Sequence, residues 1–258
     1  MDKKTFKRGA IMKNERYWKI RAKRFNDLTW IKNTDILREL LRFSKFEPDD
    51  VVLDAGCRTG LLSKAIQSRV YKVAAMDLSP DMICQAPFED RSIVPMVHDI
   101  EEPLEEFNDS FNKIISRSVF HHLGNVEKGV ENCKNMLTKG GSLILQEGIP
   151  PSETAEVVSW FTHMMAIKEK RHVFTESSLI ALFEKANFKN IECKIVVDSD
   201  FSVLNWLHSS GQNPLMLKRV YQAHKTAPES IKKLYRMRDG SDGDILIEVK
   251  YALIRGVK

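Results

Sequence analysis

The run Val51-Val52-Leu53-Asp54-Ala55-Gly56-Cys57-Arg58-Thr59-Gly60 constrains the fold of this chain more than any other stretch. Val-Val-Leu is too short and too apolar for a surface strand, and it suits the middle of a parallel sheet buried on both faces. Gly56 and Gly60 permit positive φ and a close approach of backbone to a ligand. A helical pattern follows from Leu61 to Ser68. Asp54 places a carboxylate at the strand's end, facing that ligand. A phosphate-binding turn has no use for this negative charge, whereas a ligand carrying an ammonium group does.

The second half of the signal lies 23 positions on, where Val73-Ala74-Ala75-Met76 forms another apolar strand ending in Asp77. Leu78-Ser79-Pro80-Asp81-Met82 follows, with Ser79 placed to cap a helix and Pro80 at its first position. In a doubly wound sheet, an acid ending the second strand accepts hydrogen bonds from both hydroxyls of a ribose. The two acids together specify a nucleoside that also carries a charged amino acid. On these residues the chain resembles the class I S-adenosylmethionine-dependent methyltransferases. Their first motif is Asp/Glu-x-Gly-x-Gly-x-Gly, and their second strand ends in an acid, often within Asp-Leu-Ser-Pro-x-Met.

Three further motifs fall in order over about residues 45–198. Val97-His98-Asp99-Ile100 resembles the family's third-strand end, which implies that Asp99 meets the adenine amine and the Ile100 N–H meets the ring. Phe111 to Leu123 resembles the fourth strand and its turn, including Ser116, Arg117 and His121-His122-Leu123. Leu137 to Glu147 resembles the double-glycine turn and fifth strand. The His-His-Leu turn and the Gly-Gly-x-Leu strand are similar to the small-molecule branch, quinone-biosynthesis methyltransferases included. The resemblance implies S-adenosylmethionine as cofactor, held by Asp54, Gly56, Cys57, Arg58, Gly60, Asp77, Leu78, Asp99, Ile100, Ser116 and Arg117. It implies a doubly wound, Rossmann-like, seven-stranded and mostly parallel sheet whose last strand is antiparallel.

One departure stands out, because the family has glycine where this chain has Arg58. Three readings are open: a tolerated residue with its side chain in solvent, a grip on the methionine carboxylate, or an impaired site. His121 is the candidate catalytic base or acceptor orienter, with a turn residue bonding backbone as the plain alternative. Arg117 reads either as a ligand for a carboxylate or as a strand-end surface residue.

Charge is uneven. Residues 1–24 hold ten Lys/Arg against Asp2 and Glu15, a net of 10 − 2 = +8, so the remainder carries 5 − 8 = −3. A basic arm of this kind either touches an anionic surface or nucleic acid, or is a solvated lead into a helix. Within it, Tyr17 and Arg21 share a helical face at i, i+4 and are candidates for a lid over the cofactor. The interleaved aromatic and basic residues also suit RNA. Cys57, Cys84, Cys133 and Cys193 are scattered, which matches neither a disulfide framework nor a zinc site and leads us to expect no metal and a reducing, cytoplasmic setting. No apolar run reaches the ~18 residues of a membrane span, and the basic, polar start does not read as a signal peptide.

The C-terminal half contains a long interruption. Ile191 to Val197 alternates like a strand, Asp244 to Ile254 reads as the closing strand, and helical patterns at Phe201–His208 and Leu215–Arg238 fill the gap. Thr175 caps a helix that runs to Asn187, with Ser178 where a capping box would place Glu, so half of that signature is present. The expected organisation is an N-terminal helical cap over residues 1–44 and a methyltransferase domain over 45–258, with an acceptor-side insertion at 199–243. Trp160 to Phe174 reads either as an apolar acceptor pocket with a cationic rim or as an amphipathic helix. Arg171, His172 and Trp206 are the candidate acceptor contacts, and Asn205 and His208 share their neighbourhood. The expected activity is methyl transfer to a small-molecule acceptor, one with an anionic group. A non-catalytic cofactor-binding protein and an RNA-directed methyltransferase are the alternatives.

Overall fold

The computed structural model describes residues 19, 21–86, 88, 92–166, 172–208 and 213–258. Tyr17, Lys168, Lys170 and Arg171 lie outside them. A sheet in the order β3-β2-β1-β4-β5-β8-β6 organises the chain. Its strands are β1 (Val51–Ala55), β2 (Lys72–Asp77), β3 (Ile93–Val97), β4 (Phe111–Arg117), β5 (Leu137–Ile149), β6 (Lys189–Ser202), a two-residue β7 (Arg238–Asp239) and β8 (Ile245–Val257). β1 pairs in parallel with both β2 and β4, which places Val52 and Leu53 at the sheet's centre, both fully buried. β8 runs antiparallel between β5 and β6, as the resemblance implies, and β7 adds an eighth strand on β8.

The helices flank this sheet: α1 (Thr34–Ser44), α2 (Leu61–Ile66), α3 (Pro80–Ile83), α4 (Val126–Met136), α5 (Ala155–Ala166) and α6 (Glu176–Lys185). α1 shows why such segments are helical. Asn33 caps it by accepting from the N–H groups of Asp35 and Ile36, and Ile36, Leu40 and Phe43 form its buried stripe. Ser79 caps α3 through the Met82 N–H, with Pro80 following. At α6 the capping box is complete, because the Ser178 hydroxyl accepts the Thr175 N–H at 2.8 Å. A hydroxyl does there what a Glu side chain usually does.

Between β6 and β8 the chain forms α7 (Val203–His208), α8 (Pro214–Lys225) and α9 (Glu229–Leu234). The single helical pattern expected over Leu215–Arg238 is two helices. Pro228 lacks an N–H and breaks the run, and Arg238 leaves it to pair with β8. Phe201 likewise belongs to β6, which is longer than expected.

Apolar side chains gather in three clusters. One packs α4 and α6 on one sheet face, and another packs α1 and α2 on the opposite face. The third lies over the carboxyl ends of the strands. It joins Phe25, Leu28 and Trp30 with Phe161 and Met164 of α5, Trp206 of α7, Val220 of α8 and Ile231 of α9. Among the described residues, no helix is long and apolar enough to cross a membrane.

Candidate active site

Strand register delivers the polar groups to one edge. Asp54 pairs with Ala75 and Ile115 across the central strands, and the two acids end neighbouring strands. The Gly56 and Cys57 N–H groups both reach the Met76 carbonyl at 2.8 Å, bending the chain between β1 and β2. Gly56 has φ +80, and a Cβ there would collide with the Val119 side chain.

Asp54 is 1% exposed, and its Oδ2 accepts the Ser63 hydroxyl at 2.5 Å. The Ser63 backbone N–H also bonds this carboxyl. Burial drives this carboxyl up to about 7, against the pull of Ser63 and Arg58. Asp77 is raised as well, again by burial. Its Oδ1 accepts the Ser79 N–H and its Oδ2 the Arg58 N–H, each at 2.8 Å. Each oxygen thereby keeps a lone pair for a further donor.

Arg58 is the surprise. It adopts φ +53, and its side chain is 8% exposed rather than solvent-facing. Its guanidinium donates to the Ser118 carbonyl and lies 5.0 Å from the Phe25 ring centroid. Burial, together with nearby Arg21, lowers it to about 10, so it stays cationic at neutral pH. Arg58 borders two cavities. The smaller one reaches Asp54, Gly56, Cys57 and Arg117, and the larger one extends under the third apolar cluster.

At the larger cavity's floor, the turn Phe120–His122 follows β4. The His121 Nδ1 lies 2.5 Å from the Glu147 Oε2. The Glu147 Oε1 accepts the Val119 and Phe120 N–H groups at 3.0 and 2.8 Å. An ionised carboxylate only accepts, so in this pair Nδ1 is the donor.

A family model, described as a methyltransferase domain, matches residues 23–193. The chain belongs to the methyltransferase-domain family. It is 25% identical over 156 residues to a tRNA U34 carboxymethyltransferase of Glaesserella parasuis, covering 56% of this chain and 47% of that protein. It is 30% identical over 101 residues to the mitochondrial ubiquinone biosynthesis O-methyltransferase of Rattus norvegicus, covering 36% of this chain and 29% of that protein. The chain thus spans less than half the length of these two relatives. A Bacillus halodurans protein solved as a candidate methyltransferase superposes with a TM-score of 0.75 at 18% identity, covering 86% of this chain and 98% of that one. That likeness shows the fold, and it is the methyltransferase-domain match that points to S-adenosylmethionine as the methyl donor.

The residues present fit that donor. The Asp54 carboxyl is buried and keeps acceptor capacity beyond its bonds to Ser63, which suits an ammonium, and Asp77 keeps two acceptor positions for a diol. Asp99 accepts the Glu101 N–H at 2.9 Å, and Ile100 is fixed by Asn132 on its carbonyl at 2.9 Å, which leaves its N–H without a bond to the described residues. Leu78 is half exposed beside Asp77, and the Cys57 thiol is buried and held protonated by that burial. Gly60, at φ +73, starts α2.

The other candidates are placed by bonds within the fold, some of them still lining the two cavities. The Ser116 hydroxyl donates to the Ala55 carbonyl at 2.7 Å, so it ties β4 to β1. Arg117 is no surface residue. It is buried and donates to the Trp30 and Ile31 carbonyls at 3.2 and 3.3 Å. Arg21, 3% exposed, lines the larger cavity. Trp206 lines it too, but His172 and His208 do not. His172 instead donates its N–H to the His121 carbonyl at 3.2 Å and stacks on Phe174. Asn205 faces the N-terminal segment, accepting from the Thr29 N–H at 2.9 Å and donating to the Asp27 carbonyl at 3.0 Å. His224 and Tyr235 belong to no sequence motif, whereas Glu147 closes the fifth-strand motif and Trp160 opens the segment read as an acceptor pocket. Glu147 stands two residues before the end of β5, and its place beside the histidine turn comes from the fold. Among the described residues, no group of three His, Cys, Asp or Glu could hold a metal ion.

Proposed function

We propose that this protein methylates a small, largely apolar acceptor that carries an anionic group, with S-adenosylmethionine as donor. The single observation that carries the reading is the larger cavity, where Arg21 and Arg58 face Trp160, Phe161 and Trp206 beside the His121–Glu147 pair. S-adenosylmethionine, when bound, supplies a methyl group already activated on a sulfonium. Asp77 then accepts the ribose hydroxyls, Asp54 pairs with the ammonium, and Asp99 with the Ile100 N–H reads the adenine. Arg58, at the border of the two cavities, serves either the methionine carboxylate or the acceptor's anion. Glu147 holds the His121 ring so that Nε2 can take a proton from an acceptor hydroxyl or amine. The arm, α5 and α7–α9 exclude water from the transfer. We further propose that residues 1–44 act as a cap and 199–243 as the acceptor-side insertion of a domain over 45–258.

The runner-up is RNA methylation, favoured by the likeness to a tRNA-directed relative and by the +8 arm. Methyl-labelled donor, offered with small aromatic carboxylates and with bulk tRNA, decides between them. Label in the small molecules supports the reading. Label in tRNA alone, lost with steeply rising salt and on deleting residues 1–13, overturns it.

A further inference from the structure

The larger cavity has a second polar end, in its roof, that the methyl-transfer chemistry does not use. His224 in α8 is 2% exposed, and its Nδ1 lies 2.8 Å from the Val220 carbonyl oxygen one turn back. A carbonyl only accepts, so Nδ1 carries the proton and Nε2 carries the lone pair. Burial pushes this imidazole down to about 4, which keeps it neutral at physiological pH. The Trp160 and Trp206 rings meet it edge-on, 5.0 and 6.2 Å away.

Tyr235 follows α9 and packs on the same indole, its ring centroid 4.9 Å from that of Trp160. It is 2% exposed, and among the described residues nothing hydrogen-bonds its hydroxyl. Interiors almost always pair a buried hydroxyl. Here His224 and Tyr235, the latter with a hydroxyl that has no partner among the described residues, line one cavity and pack on a shared tryptophan.

We propose that His224 and Tyr235 form a specificity subsite for a neutral hydroxyl or primary amide on the acceptor. His224 Nε2 accepts a hydrogen bond from that group, and the Tyr235 hydroxyl donates one to it. The pair selects by complementarity. A carboxylate cannot donate to Nε2, and an ammonium cannot accept from the phenol. The flat indoles around the pair suit a ring that carries the polar group. This subsite rests on the reading of the cavity as the acceptor site, and it assigns the anion to the Arg21–Arg58 end and the neutral group to the roof.

The test uses two ring probes that differ by one group, 2-naphthol and 2-methylnaphthalene, titrated into the full chain and followed by tryptophan fluorescence. The parent is expected to prefer the naphthol by about tenfold, the worth of a hydrogen bond whose loss leaves a buried partner unpaired. Tyr235→Phe, which changes one oxygen, should cut that preference to about twofold, and His224→Phe should do the same. In ¹⁵N spectra, naphthol should shift the unprotonated Nε2 of His224. Equal binding of the two probes, no binding of either, or a preference that survives both substitutions overturns the subsite. S-adenosylhomocysteine titrated into the same samples keeps the two readings apart. Its failure to bind the parent would sink the methyl-transfer reading, whereas the naphthol preference is read without it.

Discussion

The floor and the roof of the site are built on different principles. The floor consists of strand ends and the tight turns that leave them. Asp54, Asp77 and the His121 turn each belong to a short segment whose local pattern already fixes its shape. The roof joins Phe25, Phe161, Trp206, Val220 and Tyr235, which lie up to 210 positions apart and meet only in the folded chain. The floor is rigid because parallel pairing holds it from both sides. The roof depends on packing and on a few ties, such as Asn205 to Thr29 and Thr59 to Asn26. The difference suggests a fixed cofactor chemistry below and an adjustable acceptor choice above.

The sharpest way to break this picture is at the His121 ring. His121→Ala should lower kcat by about 10²–10³-fold if the acceptor needs a base, with cofactor affinity unchanged. Glu147→Gln should act through the ring, moving the acid limb of the kcat–pH profile. Equal kcat in all three proteins would reduce the pair to a structural turn.

Next in size is Asp54→Asn, which should weaken S-adenosylhomocysteine by about 10–30-fold at pH 8. The loss should shrink towards pH 5.5, where a carboxyl that titrates at about 7 is already protonated in the parent. Stability follows the opposite course. The folded carboxyl is raised from 3.8 to about 7, so its stabilising contribution is full below 3.8 and is lost as pH rises through 7. The unliganded parent should therefore lose melting temperature relative to Asp54→Asn across that window. A difference that is flat with pH contradicts the burial argument.

Arg58→Gly restores the residue expected in this family. Cofactor affinity should stay within about tenfold of the parent, because the backbone N–H that bonds Asp77 survives. A much larger gain would mean that the parent site is crippled and would favour non-catalytic binding. Asn205→Ala should have the smallest effect. It removes the tie to Thr29 and Asp27, costing about 1–2 kcal/mol, or a few degrees of melting temperature. Acceptor KM should rise while cofactor affinity holds.

The same division explains what the sequence made legible. β1, β2 and the acids that end them follow from apolar runs and turn residues, which are local signals, whereas the sheet's arrangement comes from the family resemblance those motifs carry. Arg58 was not legible in its orientation. An arginine beside a turn reads as solvated until Phe25 and Ser118 are placed around it. Arg117 was open for the same reason, since its partners are carbonyls 86 and 87 positions away. The cationic rim expected at Lys168, Lys170 and Arg171 lies outside the described residues, among which Arg21 and Arg58 line the larger cavity. His224 carries no motif, because α8 reads as an ordinary helix until its cavity exists.

The partition between floor and roof is tested most directly by isothermal titration of S-adenosylhomocysteine into the parent, Asp77→Ala and Trp206→Ala. Asp77 makes charge-assisted contacts on the floor, so Asp77→Ala should weaken binding by about 30-fold or more. Trp206 lines the larger cavity and not the smaller one, so Trp206→Ala should leave the affinity within about threefold. Unchanged binding by Asp77→Ala, or a larger loss from Trp206→Ala than from Asp77→Ala, would contradict the account.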